Sequence, residues 1–196
     1  MYPYNPFKGQ TIQTDAHGVS VDHAFLAHFQ VTAASAVGTS ATAVHAAVTL
    51  TTSAQTVTTA ITNPAAPRNV SATGNASGIT GNVVITGTNY NGDTITETIA
   101  LNGTSTVAGT KAFASITSIA LPAKTNTSGD TVSVGIGSAL GLPYKLAHNT
   151  VLAAFLDNTK ETTAPTVTTS AAVLESNTIT LSSSLSGKAV DVYLMV

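Results

Sequence analysis

Residues 82–101 constrain the fold most: Asn82-Val83-Val84-Ile85-Thr86-Gly87-Thr88-Asn89-Tyr90 and Thr94-Ile95-Thr96-Glu97-Thr98-Ile99-Ala100-Leu101 are joined by Asn91-Gly92-Asp93. Both runs are rich in β-branched residues, and Asn-Gly tolerates the positive φ that a tight hairpin requires. In the second run Ile95, Glu97, Ile99 and Leu101 alternate with Thr94, Thr96, Thr98 and Ala100. The isoleucine face is expected to pack inward, with Glu97 as its anomaly.

Similar β-rich runs recur along the chain: Asn69–Gly74, Ser115–Leu121 ended by Pro122, Thr131–Ile136 after Ser128-Gly129-Asp130, Thr166–Leu174, Thr178–Leu181 and Ala189–Val196. Turn residues fall about every ten positions, which leaves no room for the helices of a parallel α/β sheet. The pattern predicts an all-β fold, a β-sandwich or β-barrel-like domain. The apolar closing run is expected to be tied into a sheet, since a free one would expose a pairing edge. Gly135-Ile136-Gly137 with Gly141 is one residue longer than a dinucleotide fingerprint, and Leu-Gly-Leu-Pro stands where a helix would be needed. A bend between strands is expected there.

Residues 1–60 read as an extended N-terminal arm or small β region, and residues 61–196 as the main β domain. Phe25–Val31 fits helical spacing and strand alternation alike, with strand the better reading. Between Ala33 and Ala60, β-branched residues favour strands over an alanine-rich helix near 41–48. Asn63-Pro64-Ala65-Ala66-Pro67 breaks the pattern, because each proline disfavours helix before it and cannot donate to a ladder. A linker is expected at that point.

The polarity of the chain comes from Thr, Ser and Asn. Only 8% of residues are charged, against roughly 25% in an average domain, and such surfaces lack the charge that keeps monomers apart. Self-association or docking is therefore expected. Seven Lys and Arg with a net charge of −2 are too few for a phosphate-neutralising surface, so nucleic acid is not an expected partner. Neither a basic, apolar leader nor a run of about 18 apolar residues occurs, so no membrane association is expected.

The residues that bear chemistry are sparse. The absence of cysteine excludes disulfides and thiolate metal sites. His17, His23 and His28, with Asp15 and Asp22, are the one cluster that resembles a ligand set, but its spacing is unlike a compact metal site. Local hydrogen bonding is the expected role, with no metal and no cofactor. His45 and His148 read as ordinary polar positions. A hydrolase would rest on Asp22, His23 and Glu97, yet the chain lacks the Gly-x-Ser-x-Gly, His-Glu-x-x-His and Walker signatures. No enzyme is expected and no catalytic residue is assigned. The Asn-x-Ser/Thr triplets at Asn69, Asn75, Asn102 and Asn126 read as turns.

The stretch from Ile61 to Leu121 resembles small virion structural proteins of tailed bacteriophages, in particular those that decorate capsids. The resemblance rests on Asn63-Pro64 with Pro67-Arg68-Asn69, on Gly81-Asn82-Val83-Val84-Ile85-Thr86-Gly87-Thr88, and on Thr96-Glu97-Thr98-Ile99-Ala100-Leu101-Asn102-Gly103. Thr131–Asn158 and Ala189–Val196 are similar to the same group. The resemblance implies a β-sandwich or barrel-like protein, commonly a homotrimer, bound to the major capsid protein on the capsid surface of the virion. It brings no catalytic residues, and the first sixty residues depart from it. The alternative is a head fibre, tail or adhesion module that binds a host surface glycan, a role also found among sandwich folds with polar loops.

Overall fold

Apolar–polar alternation at short intervals gives antiparallel strands throughout the chain. The computed structural model describes residues 11–13, 16–17, 20–22, 24–126 and 129–196, so Asp15 and His23 lie outside the described residues. The strands are, in order, β1 (Thr11–Gln13), β2 (Ser20–Asp22), β3 (Leu26–Val31), β4 (Ser40–Thr49) and β5 (Gln55–Val57). Then follow β6 (Arg68–Gly74), β7 (Asn82–Thr88), β8 (Thr94–Ala100), β9 (Val107–Phe113) and β10 (Ser115–Leu121). The last are β11 (Thr131–Gly141), β12 (Val151–Leu156), β13 (Thr159–Lys160), β14 (Thr166–Thr168), β15 (Thr178–Thr180) and β16 (Val190–Met195). A single 3-10 turn, Leu174–Ser176, is the helical element among the described residues. The protein is all-β and sandwich-like.

Three sheets carry the two cores, and β1 and β2 pair separately with each other. The order β5-β10-β7-β8 faces a central sheet β14-β15-β11-β6-β9, to which β4 adds along β11. Between these lies the first core, which includes Val70, Val83, Ile85, Phe113, Ile119 and Val132. Ile95 and Ile99 of β8 are buried there while Thr94, Thr96 and Thr98 are exposed, as the alternation predicts. Each such isoleucine contributes about 1.5–3 kcal/mol by leaving water. The fourth sheet, β13-β12-β16-β3, covers a second core built from Phe29, Leu140, Leu156, Ile179, Val192 and Leu194. The closing run is thus the strand β16, held between β12 and β3.

Strand β11 joins the cores. Its Val132, Val134 and Ile136 enter the first, and Leu140 enters the second. The expected bend at Gly135–Gly141 is instead one strand whose pairing with β6 shifts between Ile136 and Leu140. These glycines serve close packing. A Cβ on Gly135 would lie 1.9 Å from the Ser40 carbonyl oxygen, and one on Gly137 would lie 2.4 Å from Asn69 Oδ1.

Strands from the first sixty residues enter all three larger sheets. β3 pairs with β16, β4 with β11 and β5 with β10, so a boundary at residue 60 does not follow the sheets. The linker at 63–67 is pinned at both ends. Asn63 Oδ1 accepts the Ile116 N–H at 2.8 Å, and the Pro67 carbonyl accepts the Gly141 N–H at 2.8 Å.

The β7–β8 hairpin forms in register, with Thr88 opposite Thr94, but its turn is five residues long. Asn89, 4% exposed, organises it by accepting the Asn91 and Asp93 N–H groups at its Oδ1. Only Gly92 in that turn has positive φ. A two-residue turn occurs elsewhere: Asp157 and Asn158 have φ of 52° and 60° and connect β12 to β13.

Candidate functional site

The fourth sheet buries one face and leaves the other toward solvent. Phe29, Val31, Val190, Val192, Leu194, Ala154 and Leu156 point inward, so alternation sends Leu26, His28, Gln30, Asp191, Tyr193, Met195 and Phe155 outward. Register places them in cross-strand rows. Met195 lies opposite Leu26, Tyr193 opposite His28, and Asp191 between Gln30 and Phe155.

These rows form a continuous surface. The His28 and Tyr193 rings stack with centroids 4.8 Å apart and an interplanar angle of 7°, and Phe155 meets Tyr193 edge-on at 5.9 Å. Asp191 Oδ1 sits 2.8 Å from His28 Nε2 and accepts a hydrogen bond from Gln30 Nε2 at 3.1 Å. Beside them a recess of about 280 Å3 is lined by Gln30, Phe155, Asn158, Asp191 and Tyr193. The Asp157-Asn158 turn presents Asn158 at its rim. Leu26 is 63% exposed at one end of the face, and Leu152, next to the register shift in β12, is 61% exposed.

The residues singled out from sequence do not converge here, except for His28. Its partner is Asp191, 163 residues away, and not the N-terminal cluster. His17 lies in an exposed turn, and Asp22 belongs to β2, which pairs with β1. Among the described residues no group of three or more His, Cys, Asp and Glu could hold a metal ion. His45 Nδ1–H donates to the Ala46 carbonyl at 2.7 Å, and His148 is exposed.

Glu97 proves to be a corner brace. Its carboxylate, on the same side of β8 as Ile95 and Ile99, accepts the N–H groups of Thr110 and Lys111 and the Thr110 hydroxyl, binding β8 to β9 of the facing sheet. Gly109 makes room for it, since a Cβ there would lie 2.3 Å from Glu97 Oε2. Asn69 is not in a turn. It is 6% exposed within β6, donates to the Gly109 carbonyl at 2.9 Å and accepts the Ala139 N–H at 3.0 Å. Asn75 and Asn126 do shape turns, the first bridging to Gly129 and Thr131, the second donating to Asp130.

Two polar residues not singled out from sequence are the most deeply placed. Asn177, fully buried, accepts the Leu146 and Ser170 N–H groups and donates to the carbonyls of Ser170, Val173 and Leu174. Arg68, also fully buried, shares the core-facing side of β6 with Val70 and Ala72. A lone charge in an otherwise apolar alternation was the available signal for Arg68.

What the outward face can do chemically is bind. Its aromatic and aliphatic area, ordered by a carboxylate–imidazole–amide network, suits a flat partner with both apolar and polar groups. Compared with models of protein families, with curated proteins and with solved structures, the chain matches none.

Proposed function

We propose that this chain is a virion structural protein that decorates and stabilises the capsid shell of a tailed bacteriophage, with the major capsid protein as its partner. The observation that carries the reading is the outward face of β13-β12-β16-β3, where Leu26, His28, Phe155, Tyr193 and Met195 form an ordered surface on a chain with little charge. The resemblance of residues 61–121 to decoration proteins supplies the identity of the shell. Stabilisation follows from mass action, because a protein that binds only the assembled, expanded state favours that state. The decorating unit is proposed to be a homotrimer, and the capsid surface its location.

The test is co-sedimentation with expanded capsids, using the wild type and a Leu26→Asp, Tyr193→Ser double variant. Wild-type binding that the double variant loses, with its melting behaviour otherwise retained, supports the proposal. Equal binding by both removes the assigned face, and absence of wild-type binding removes the function.

A second reading, a glycan-binding adhesion module, is favoured by the recess that places Asp191, Asn158 and Gln30 beside Tyr193. Sugars stack on open aromatic faces, whereas His28 already covers one face of Tyr193. This reading ranks second for that reason, and a glycan array with a hit abolished by Asp191→Ala would promote it.

A further inference from the structure

Lys111 of β9, Glu175 of the 3-10 turn and Asn89 of the turn after β7 meet at one carboxylate. Lys111 Nζ lies 3.6 Å from Glu175 Oε1, and Asn89 Nδ2 donates to Glu175 Oε2 at 3.4 Å. Glu175 thus touches a primary amine with one oxygen and a carboxamide with the other. Its side chain is 10% exposed and Asn89 is 4% exposed, so bulk water has little access to the acid or the amide.

The Asn89 amide is polarised at its other end. Its Oδ1 accepts the N–H groups of Asn91 and Asp93, each at 3.0 Å, and its Nδ2 also donates to Asp93 Oδ2 at 3.2 Å. Two N–H donors on one carbonyl oxygen draw electron density from its carbon, and they stand at the distance at which an oxyanion hole holds developing charge. Turn formation accounts for the Oδ1 bonds. It does not account for an amine and a carboxylate from two other elements closing on the Nδ2 side.

We propose that these residues form an intramolecular amide cross-link between Lys111 Nζ and Asn89 Cγ, with Glu175 as the catalytic acid and base. The Lys111 ammonium passes a proton to Glu175, which frees the nitrogen lone pair. The amine adds to Asn89 Cγ, and the charge that develops on Oδ1 is taken up by the Asn91 and Asp93 N–H groups. Glu175 hands its proton to Nδ2, the Cγ–Nδ2 bond breaks, and ammonia departs as the carbonyl re-forms. A second proton from Nζ leaves with the ammonia as ammonium, so Glu175 ends as the carboxylate. One C–N bond forms and one breaks, with no change of oxidation state. The approach falls to Lys111, whose side chain is 32% exposed and carries its amine on a flexible stem, and the reacting atoms must close to about 3–3.5 Å. The product joins the turn after β7 to β9, and so one sheet of the first core to the other, by a bond that unfolding does not break.

The experiment is intact-mass spectrometry of the full chain followed by digestion, on the wild type, Lys111→Arg and Glu175→Gln. Lys111→Arg keeps the cation beside Glu175 but removes the nucleophile. The wild type should weigh one ammonia less than its sequence, and each variant the full mass of its own. Trypsin should fail to cut the wild type after Lys111, so that residues 69–124 emerge as one peptide, and cutting that peptide after Glu97 should leave its two parts joined. The digest decides on the wild type alone should a variant fail to fold. Cyclisation at Asn91-Gly92 also sheds ammonia, but it leaves Lys111 open to trypsin and the two parts separable. A wild type of full sequence mass, an ammonia loss that persists in Lys111→Arg, or parts that separate after Glu97 overturns the cross-link, and a cross-link that forms in Glu175→Gln overturns the role of Glu175.

Discussion

Replacing Asn177 with Ala should be among the most damaging single changes in this protein. The side chain is fully buried and its Oδ1 is the acceptor for two backbone N–H groups, Leu146 at 3.0 Å and Ser170 at 2.8 Å. Its Nδ2 serves the carbonyls of Ser170 at 2.9 Å and Val173 at 2.8 Å, with a longer contact to Leu174 at 3.2 Å. The Leu174 carbonyl retains the Asn177 backbone N–H, so its loss is small. Each orphaned buried donor costs about 1–3 kcal/mol, and carbonyls somewhat less because they can share water. Partial entry of water into the space left by the amide offsets some of this, giving a net loss of roughly 3–5 kcal/mol. Against a total stability of about 5–15 kcal/mol, the urea midpoint should fall severely. Asn177→Asp is the informative companion. It keeps the acceptors but loses the donors and sets a buried carboxylate against carbonyl oxygens, which raises its folded pKa. That variant should therefore be worse than Asn177→Ala at pH 7 and recover as pH falls through the raised value, where the protonated form can donate again. A loss below about 1 kcal/mol for Asn177→Ala would refute the argument that this amide organises the 142–146 and 170–177 segments.

Gly135→Ala should detach β4 from β11, because the new methyl would meet the Ser40 carbonyl at 1.9 Å; hydrogen exchange should show β4 amides losing protection before those of β6. Glu97→Ala should cost about 1–3 kcal/mol by leaving the Thr110 and Lys111 N–H groups without their acceptor, read as a shift in denaturant midpoint, while Glu97→Gln, which retains an oxygen, should cost less. The Asp130 carboxyl is held below the usual carboxylate range by the Asn126 N–H and side-chain amide and by the Thr125 N–H. Because its folded pKa is depressed, the stability it contributes is present above about pH 4 and is lost as pH falls through the lower folded value. Acid unfolding followed by fluorescence should begin at lower pH in Asp130→Asn than in the wild type, relative to each protein's neutral stability.

Local pattern alone established that the chain is built from short strands. The Thr/Ile alternation of 94–101 determined which side of β8 faces the core, and the alternating Val190, Val192 and Leu194 did the same for β16. What it could not show is pairing. Nothing near residue 28 signals Asp191, and nothing near residue 11 or 60 signals whether a strand stands apart or completes a distant sheet. Gly135 and Gly137 carry the signature of a turn, yet they mark places where neighbouring groups approach too closely for a Cβ. Glu97 and Arg68 look like irregularities in an apolar alternation, and Asn177 like one polar residue among others, until the groups they reach, at Thr110, Val37 and Leu146, are known. The physical reason is that side-chain periodicity is a property of one strand, set by steric alternation along the backbone. Partnership is a property of two, and it is decided only when packing brings residues far apart in sequence within hydrogen-bonding distance.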